Sequence, residues 1–138
     1  MNKDRLKAQL SVDEKRSSKI YTDTVGKVSG GIGRNLTDNG FSDSEIDLMY
    51  ANDIARAEKD ARSLMPSFDQ LDDIRQEVLV NMSFNMGYQR LAGFRNFLAE
   101  LKASNFSAAA DEMVNSKWYG QVGARGIRLA NAMRTGAF

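Results

Sequence analysis

Glu14, Asp23 and Ser29 are the side chains whose types and spacing suit chemistry. They lie in the stretch VDEKRSSKIYTDTVGKVSGGIGRNL, with eight residues between Glu14 and Asp23 and five between Asp23 and Ser29. Glu14 ends an apolar, helical segment, and Asp23 begins a glycine-rich, hairpin-like one. Two carboxyls on different elements, followed by a hydroxyl, match what cleavage of a glycosidic bond requires. One carboxylic acid protonates the leaving oxygen, and a second group on the other face stabilises positive charge or activates water. For this, Glu14 must keep its proton near neutral pH, through desolvation or hydrogen bonds to its neutral form, while Asp23 in a polar turn stays ionised. Spacing alone does not separate this from the ordinary case, in which Glu14 is a surface acid at a helix end and Asp23 a turn former.

Composition narrows the alternatives. The chain has no cysteine, which excludes a disulfide framework and a thiolate metal site, and no histidine, which removes the usual zinc ligand and the commonest general base. Acid–base chemistry must therefore come from carboxylates, Lys or Tyr, and no metal or cofactor is called for. At 138 residues one domain is expected, large enough for a modest core and for division into two lobes. The opening MNKDRLKAQL has no apolar run of signal-peptide length and no stretch approaches a membrane span, so neither export signal nor stable membrane association is expected. Charge is uneven: from Met86 onward seven Lys/Arg face three acids, leaving that part at +4 and the remainder at −3. Such a basic part can steer a polyanion.

The elements that must position the three side chains follow from periodicity. Asp4 to Val12 suits a short helix, with Glu14 at or just past its end. From Lys19 to Leu36 the β-favouring Ile20, Tyr21, Thr22, Val25 and Val28 are punctuated by glycines, which predicts two or three short antiparallel strands with a first turn at Asp23-Thr24-Val25-Gly26. Asp38-Asn39-Gly40 ends the sheet. Ser42 and Glu45 have capping-box spacing, and apolar residues from Ile46 to Leu64 recur at threes and fours up to Pro66, the single proline. Beyond it the chain reads as helical. A central helix, apolar nearly all round at VLVNMSF and so expected to be buried on every side, is closed by Gly87; a helix spans Leu91 to Leu101, a shorter one Phe106 to Met113, and a last one Ile127 to Met133, with Trp118-Tyr119 and two glycines as the joint before it.

Three other motifs fail. Gly31-Ile32-Gly33 begins like a dinucleotide loop, but Leu36 stands where the third glycine belongs. Asp38-Asn39-Gly40 lacks the ligand pattern of a calcium loop. Basic residues near aromatics are spread over several helices, so no nucleic acid partner is expected.

The separated blocks together resemble the phage-type lysozymes of the T-even phage type, glycoside hydrolase family 24. In that family a Glu is followed after eight residues by Asp or Cys and after five more by Thr, in a pattern like DEG…K.Y.DT.G..TIGIG..L. Glu14, Asp23 and Ser29 keep this spacing, and VNMSFNMG (80–87), LAGFRNFL (91–98), SKWYGQVGAR (116–125) and MRTGAF (133–138) follow in the family's order. The resemblance covers essentially the whole chain. It implies an α+β, mainly helical fold, with a small antiparallel β lobe at about 13–41, a connecting helix at 42–65, a helical lobe at 66–138 with the 1–12 helix packing near it, and an active-site cleft between the lobes.

The implied activity is hydrolysis of the β-1,4 bond between N-acetylmuramic acid and N-acetylglucosamine in peptidoglycan. The setting is that of a phage endolysin, held in the host cytoplasm until a holin, needed for access but not bound, admits it to the periplasm and wall. A monomer is expected. Glu14 corresponds to the general acid, Asp23 to the second carboxylate and Ser29 to the hydroxyl that helps hold the attacking water. Arg125 matches an arginine that supports the catalytic Glu, and Phe84, Asn85 and Asn81 match cleft-lining, substrate-binding positions. The departures are Ser29 for Thr, Gly30 for an apolar β-former, Lys15 for the glycine that commonly follows the Glu, Arg34 for a frequent His, and Phe97 and Glu112 at polar, uncharged places. Two rivals stay open: a non-catalytic peptidoglycan-binding or virion module with this fold, and a lytic transglycosylase.

Overall fold

The computed structural model describes all residues 1–138, which divide into two compact units, Met1–Leu48 and Met49–Phe138. The first begins with α1 (Lys3–Glu14), whose N-cap Asn2 accepts from the Arg5 amide at 2.9 Å. A three-stranded antiparallel sheet follows in the order β1 (Arg16–Thr22), β2 (Val28–Ile32), β3 (Arg34–Asn35), and α1 packs on β2. Register pairs Ser17 with Gly31 and Tyr21 with Ser29, so β1 carries two more residues than β2 between these pairs and bulges there. Where Asp38-Asn39-Gly40 was expected only to interrupt the sheet, a one-turn helix α2 (Leu36–Asn39) forms. The Asn35 carboxamide caps it by accepting from the Asp38 amide at 3.1 Å.

The capping box forms as expected: the Ser42 amide donates to Glu45 Oε1 at 2.9 Å and the Glu45 amide to Ser42 Oγ at 3.3 Å. The Ser42 hydroxyl and amide, with the Arg34 guanidinium paired to it, hold the exposed Glu45 carboxyl below its ordinary pKa against a small opposing desolvation. Helix α3 (Asp43–Leu64) then carries the chain across the boundary between the units.

The second unit is helical: after a short 3-10 turn (Phe68–Gln70) come α4 (Asp73–Ala92), α5 (Arg95–Lys102), α6 (Phe106–Val114), α7 (Lys117–Val122) and α8 (Ala124–Thr135). Its core gathers Met65, Leu79, Met82, Leu91, Phe97, Met113, Trp118, Leu129 and Met133, all buried. Phe94 meets both Phe97 and Trp118 edge-on at 6.3 Å. Three expectations are corrected. Gly87 does not close α4; its φ of 79° and ψ of 170° kink the helix, which resumes to Ala92 and takes Leu91 with it, so α5 starts only at Arg95. Trp118 and Tyr119 belong to a short helix rather than a joint, started by Ser116 Oγ accepting from the Tyr119 amide. VLVNMSF is not buried all round, since Val78, Leu79 and Met82 face the core while Phe84 is 42% exposed. This mainly helical chain with a small antiparallel sheet has the expected lysozyme-like α+β fold.

Candidate active site

Glu14 is the last residue of α1, and the chain turns sharply after it: Lys15 has φ 59° and ψ 144° and leads directly into β1. The exposed Glu14 side chain lies against the turn between β2 and β3. A Cβ built on Gly33 would stand 2.7 Å from Glu14 Cδ, closer than side chains allow, and Gly33 has φ 64° as well. The backbone conformation favours glycine there, and any side chain would also make the Glu14 carboxyl swing away from the turn.

Asp23 sits at the β1–β2 turn, and its two oxygens have different tasks. Oδ1 accepts from the amides of Val25 at 3.0 Å and Lys27 at 2.9 Å, which makes Asp23 the turn former of the ordinary reading. Oδ2 accepts from the Ser29 hydroxyl at 3.4 Å, and Ser29, on the middle strand, is only 4% exposed. Gly30 beside it is buried too. Its missing Cβ would meet Ile20 and Leu36 at 3.6 Å, ordinary contact distance, so nothing steric demands glycine there. Glu14 and Asp23 therefore touch one segment at Gly33 and Ser29. Those anchor points are four residues apart, at most ~13 Å of extended chain.

The expected residues of the second unit are partly gathered in one groove of about 520 Å³. Asn81, Phe84 and Arg125 line it, with Tyr50, Ile54 and Glu58 from α3, Phe68, and Gln76, Glu77 and Val80 from α4. On α4 the lining positions 76, 77, 80, 81 and 84 form one helical stripe, distinct from the core stripe through Val78 and Met82. Phe84 packs edge-on against Tyr50 at 6.2 Å. Arg125 donates from Nε to Asn81 Oδ1 at 2.9 Å and from Nη2 to the Asn81 carbonyl at 3.4 Å, which fixes the guanidinium in the groove wall. Asn85 lies outside the lining; its Oδ1 accepts from the Trp118 indole at 2.8 Å and ties α4 to α7. Tyr50 is among the groove residues that sequence reasoning missed: it falls within the apolar repeat read from Ile46 to Leu64 and is 58% exposed. Tyr50, Ile54 and Glu58 at intervals of four were the available signal.

Comparison with known proteins gives this arrangement a family. The sequence model of the family described as "Phage lysozyme" matches residues 13–132, and the chain belongs to that family. It is similar to two Dictyostelium discoideum proteins, "Probable T4-type lysozyme 1" and "Probable T4-type lysozyme 2". The first is 28% identical over 97% of this chain and 74% of its own length, the second 26% identical over 95% and 94%. It is also 29% identical, over 81% of its length, to the "Pre-baseplate central spike protein Gp5" of Enterobacteria phage T4, of which it spans 20%. The family is one of glycosidases of muramidase type that act on peptidoglycan.

Proposed function

We propose that this protein hydrolyses the β-1,4 bond between N-acetylmuramic acid and N-acetylglucosamine, with Glu14 as general acid and Asp23 with Ser29 guiding water. The observation that carries the reading is the division of labour at Asp23: one oxygen builds the turn, and the other is left beside a hydroxyl that can share a water with it. In the reaction the Glu14 proton goes to the glycosidic oxygen as its bond to the muramic acid C1 breaks. The water oxygen bonds to C1 from the opposite face and its proton passes to Asp23. This assignment makes the reaction an inverting one, which calls for a carboxyl separation of about 6.5–9.5 Å rather than the roughly 5–5.5 Å of retention. Arg125, held by Asn81, and Phe84 supply a rigid charged and aromatic groove wall suited to a sugar face and its acetamido groups. We further assign the protein the role of a monomeric endolysin, held in the host cytoplasm until a holin opens a path to the wall; the family supports the wall substrate, and the rest follows from the resemblance to phage-type lysozymes.

Clearing of chloroform-treated Gram-negative cells tests the acid. Wild type is expected to clear them, and Glu14→Gln to be about 10²–10⁴-fold slower, the usual contribution of a general acid. Equal clearing removes Glu14 from that role. Mass spectra of the released fragments must show the added water, because a lytic transglycosylase leaves anhydro ends. A second reading, a wall-binding part of a virion, is favoured by the likeness to a phage spike protein. It gains if the wild-type chain binds peptidoglycan but neither protein clears cells.

A further inference from the structure

The turn on which the Glu14 carboxyl rests has little of its own to hold it. Gly33 alone joins β2 to β3, and Gly31 and Gly33 both have φ 64°, a region that glycine enters and leaves freely. β3 is two residues long and adds only the pairs of Ser29 with Asn35 and Gly30 with Arg34 to the sheet. Apolar packing does not supply the missing constraint, because Ser29 and Gly30 are the only buried residues of the first unit.

A polar clamp does. The Arg34 side chain reaches from the residue after Gly33 to the start of α3: its Nη1 is ion-paired with Glu45 Oε2 and donates to the Gly40 carbonyl at 3.4 Å. Glu45 is itself fixed, since its other oxygen, Oε1, accepts from the Ser42 amide in the capping box of a 22-residue helix. Contacts therefore run from α3 through Arg34 to Gly33 and the Glu14 carboxyl against it, while the Arg34 backbone pairs with Gly30 beside Ser29. An ion pair this exposed adds little to stability. By contrast, a displacement of ~1 Å at a reacting group costs about 10²-fold in rate. From this we propose that Arg34 is a positioning residue for the general acid: anchored on Glu45 and the Gly40 carbonyl, it fixes the β2–β3 turn that places the Glu14 carboxyl. The inference rests on the reading of Glu14 given above.

Two glutamine variants of the whole chain test the proposal. Arg34→Gln removes the cation, and Glu45→Gln removes the pair while keeping an oxygen for the capping hydrogen bond. On purified peptidoglycan kcat should fall about 10- to 100-fold in each, with KM near wild type. The double variant should fall no further than either single, because all three cut the same link. Melting should stay close to wild type, and Arg34→Lys should recover part of kcat. In protein labelled with carbon-13 at glutamate Cδ, the Glu14 resonance should move in Arg34→Gln while that of Glu112 stays, a readout that needs no activity. A wild type that cuts no wall refutes the catalytic reading, and the Glu14 resonance then decides the positioning by itself. Single variants with wild-type kcat, losses that multiply in the double variant, a melting temperature that falls in step with kcat, or an unmoved Glu14 resonance overturn the proposal.

Discussion

Lys15 occupies a backbone region that only glycine enters without strain, directly after the proposed acid. Such a residue costs of the order of 1–3 kcal/mol. Lys15→Gly is expected to raise stability in urea by about 1 kcal/mol, the loss of chain entropy from glycine offsetting part of the relief. Lysis should be retained, because the exposed Lys15 side chain makes no hydrogen bond or ion pair. Asp23 allows its two tasks to be separated. Asp23→Asn keeps a turn-forming oxygen and should melt near wild type but fail to lyse. Asp23→Ala should fail to lyse and also lose about 1 kcal/mol, since two turn amides lose their acceptor. Lysis by Asp23→Asn at the wild-type rate would remove the charge from the mechanism. Spacing and residue type made Glu14, Asp23 and Ser29 candidates, and only the resemblance to the lysozymes set them above a surface acid and a turn former. What they could not reveal is that Gly33 carries the Glu14 carboxyl or that Asn85 serves Trp118, because both depend on contacts between segments distant in sequence.

Among the elements, α4 shows how one strong signal hides a weaker one. Its core stripe was readable, whereas of the adjoining stripe of positions 76, 77, 80, 81 and 84 the resemblance picked out only Asn81 and Phe84, because Gln76, Glu77 and Val80 carry no signal that sets them apart from an ordinary helix surface. Short helices were the other misses: α2 and α7 are too brief for periodicity, and glycines at 120 and 123 read as a loop. The start of α4 is testable. Asp72 caps it by accepting from the Arg75 amide at 3.1 Å, and Arg75 reaches on to the Met133 and Arg134 carbonyls at the end of α8. Burial pushes the Asp72 pKa up, but the Arg75 amide and guanidinium outweigh it and hold it below the ordinary 3.8. A depressed native pKa means that the ionised cap stabilises the fold above the unfolded value, and that this is lost as pH falls through the native one. Asp72→Ala should therefore cost about 1 kcal/mol at pH 7. The gap to wild type should narrow in acid below the unfolded pKa, as read by denaturant melts across pH.

At the scale of the molecule, burial is unequal. Residues 1–48 contain only Ser29 and Gly30 as buried positions, whereas the whole hydrophobic core cluster lies in 49–138. Amide exchange should therefore run through low-energy openings in the sheet and α1 while α4 and α8 approach the global limit. Equal protection across both units would refute this. Length allowed two lobes and the resemblance implied them, but neither gave a hint of how unevenly apolar contacts are shared. Both proposed catalytic carboxyls belong to the thinly packed part. On heating, then, the capacity to cut cell walls should vanish several degrees before the far-ultraviolet signal of the helices declines, and a melting temperature taken from that signal would overstate the working range of the enzyme.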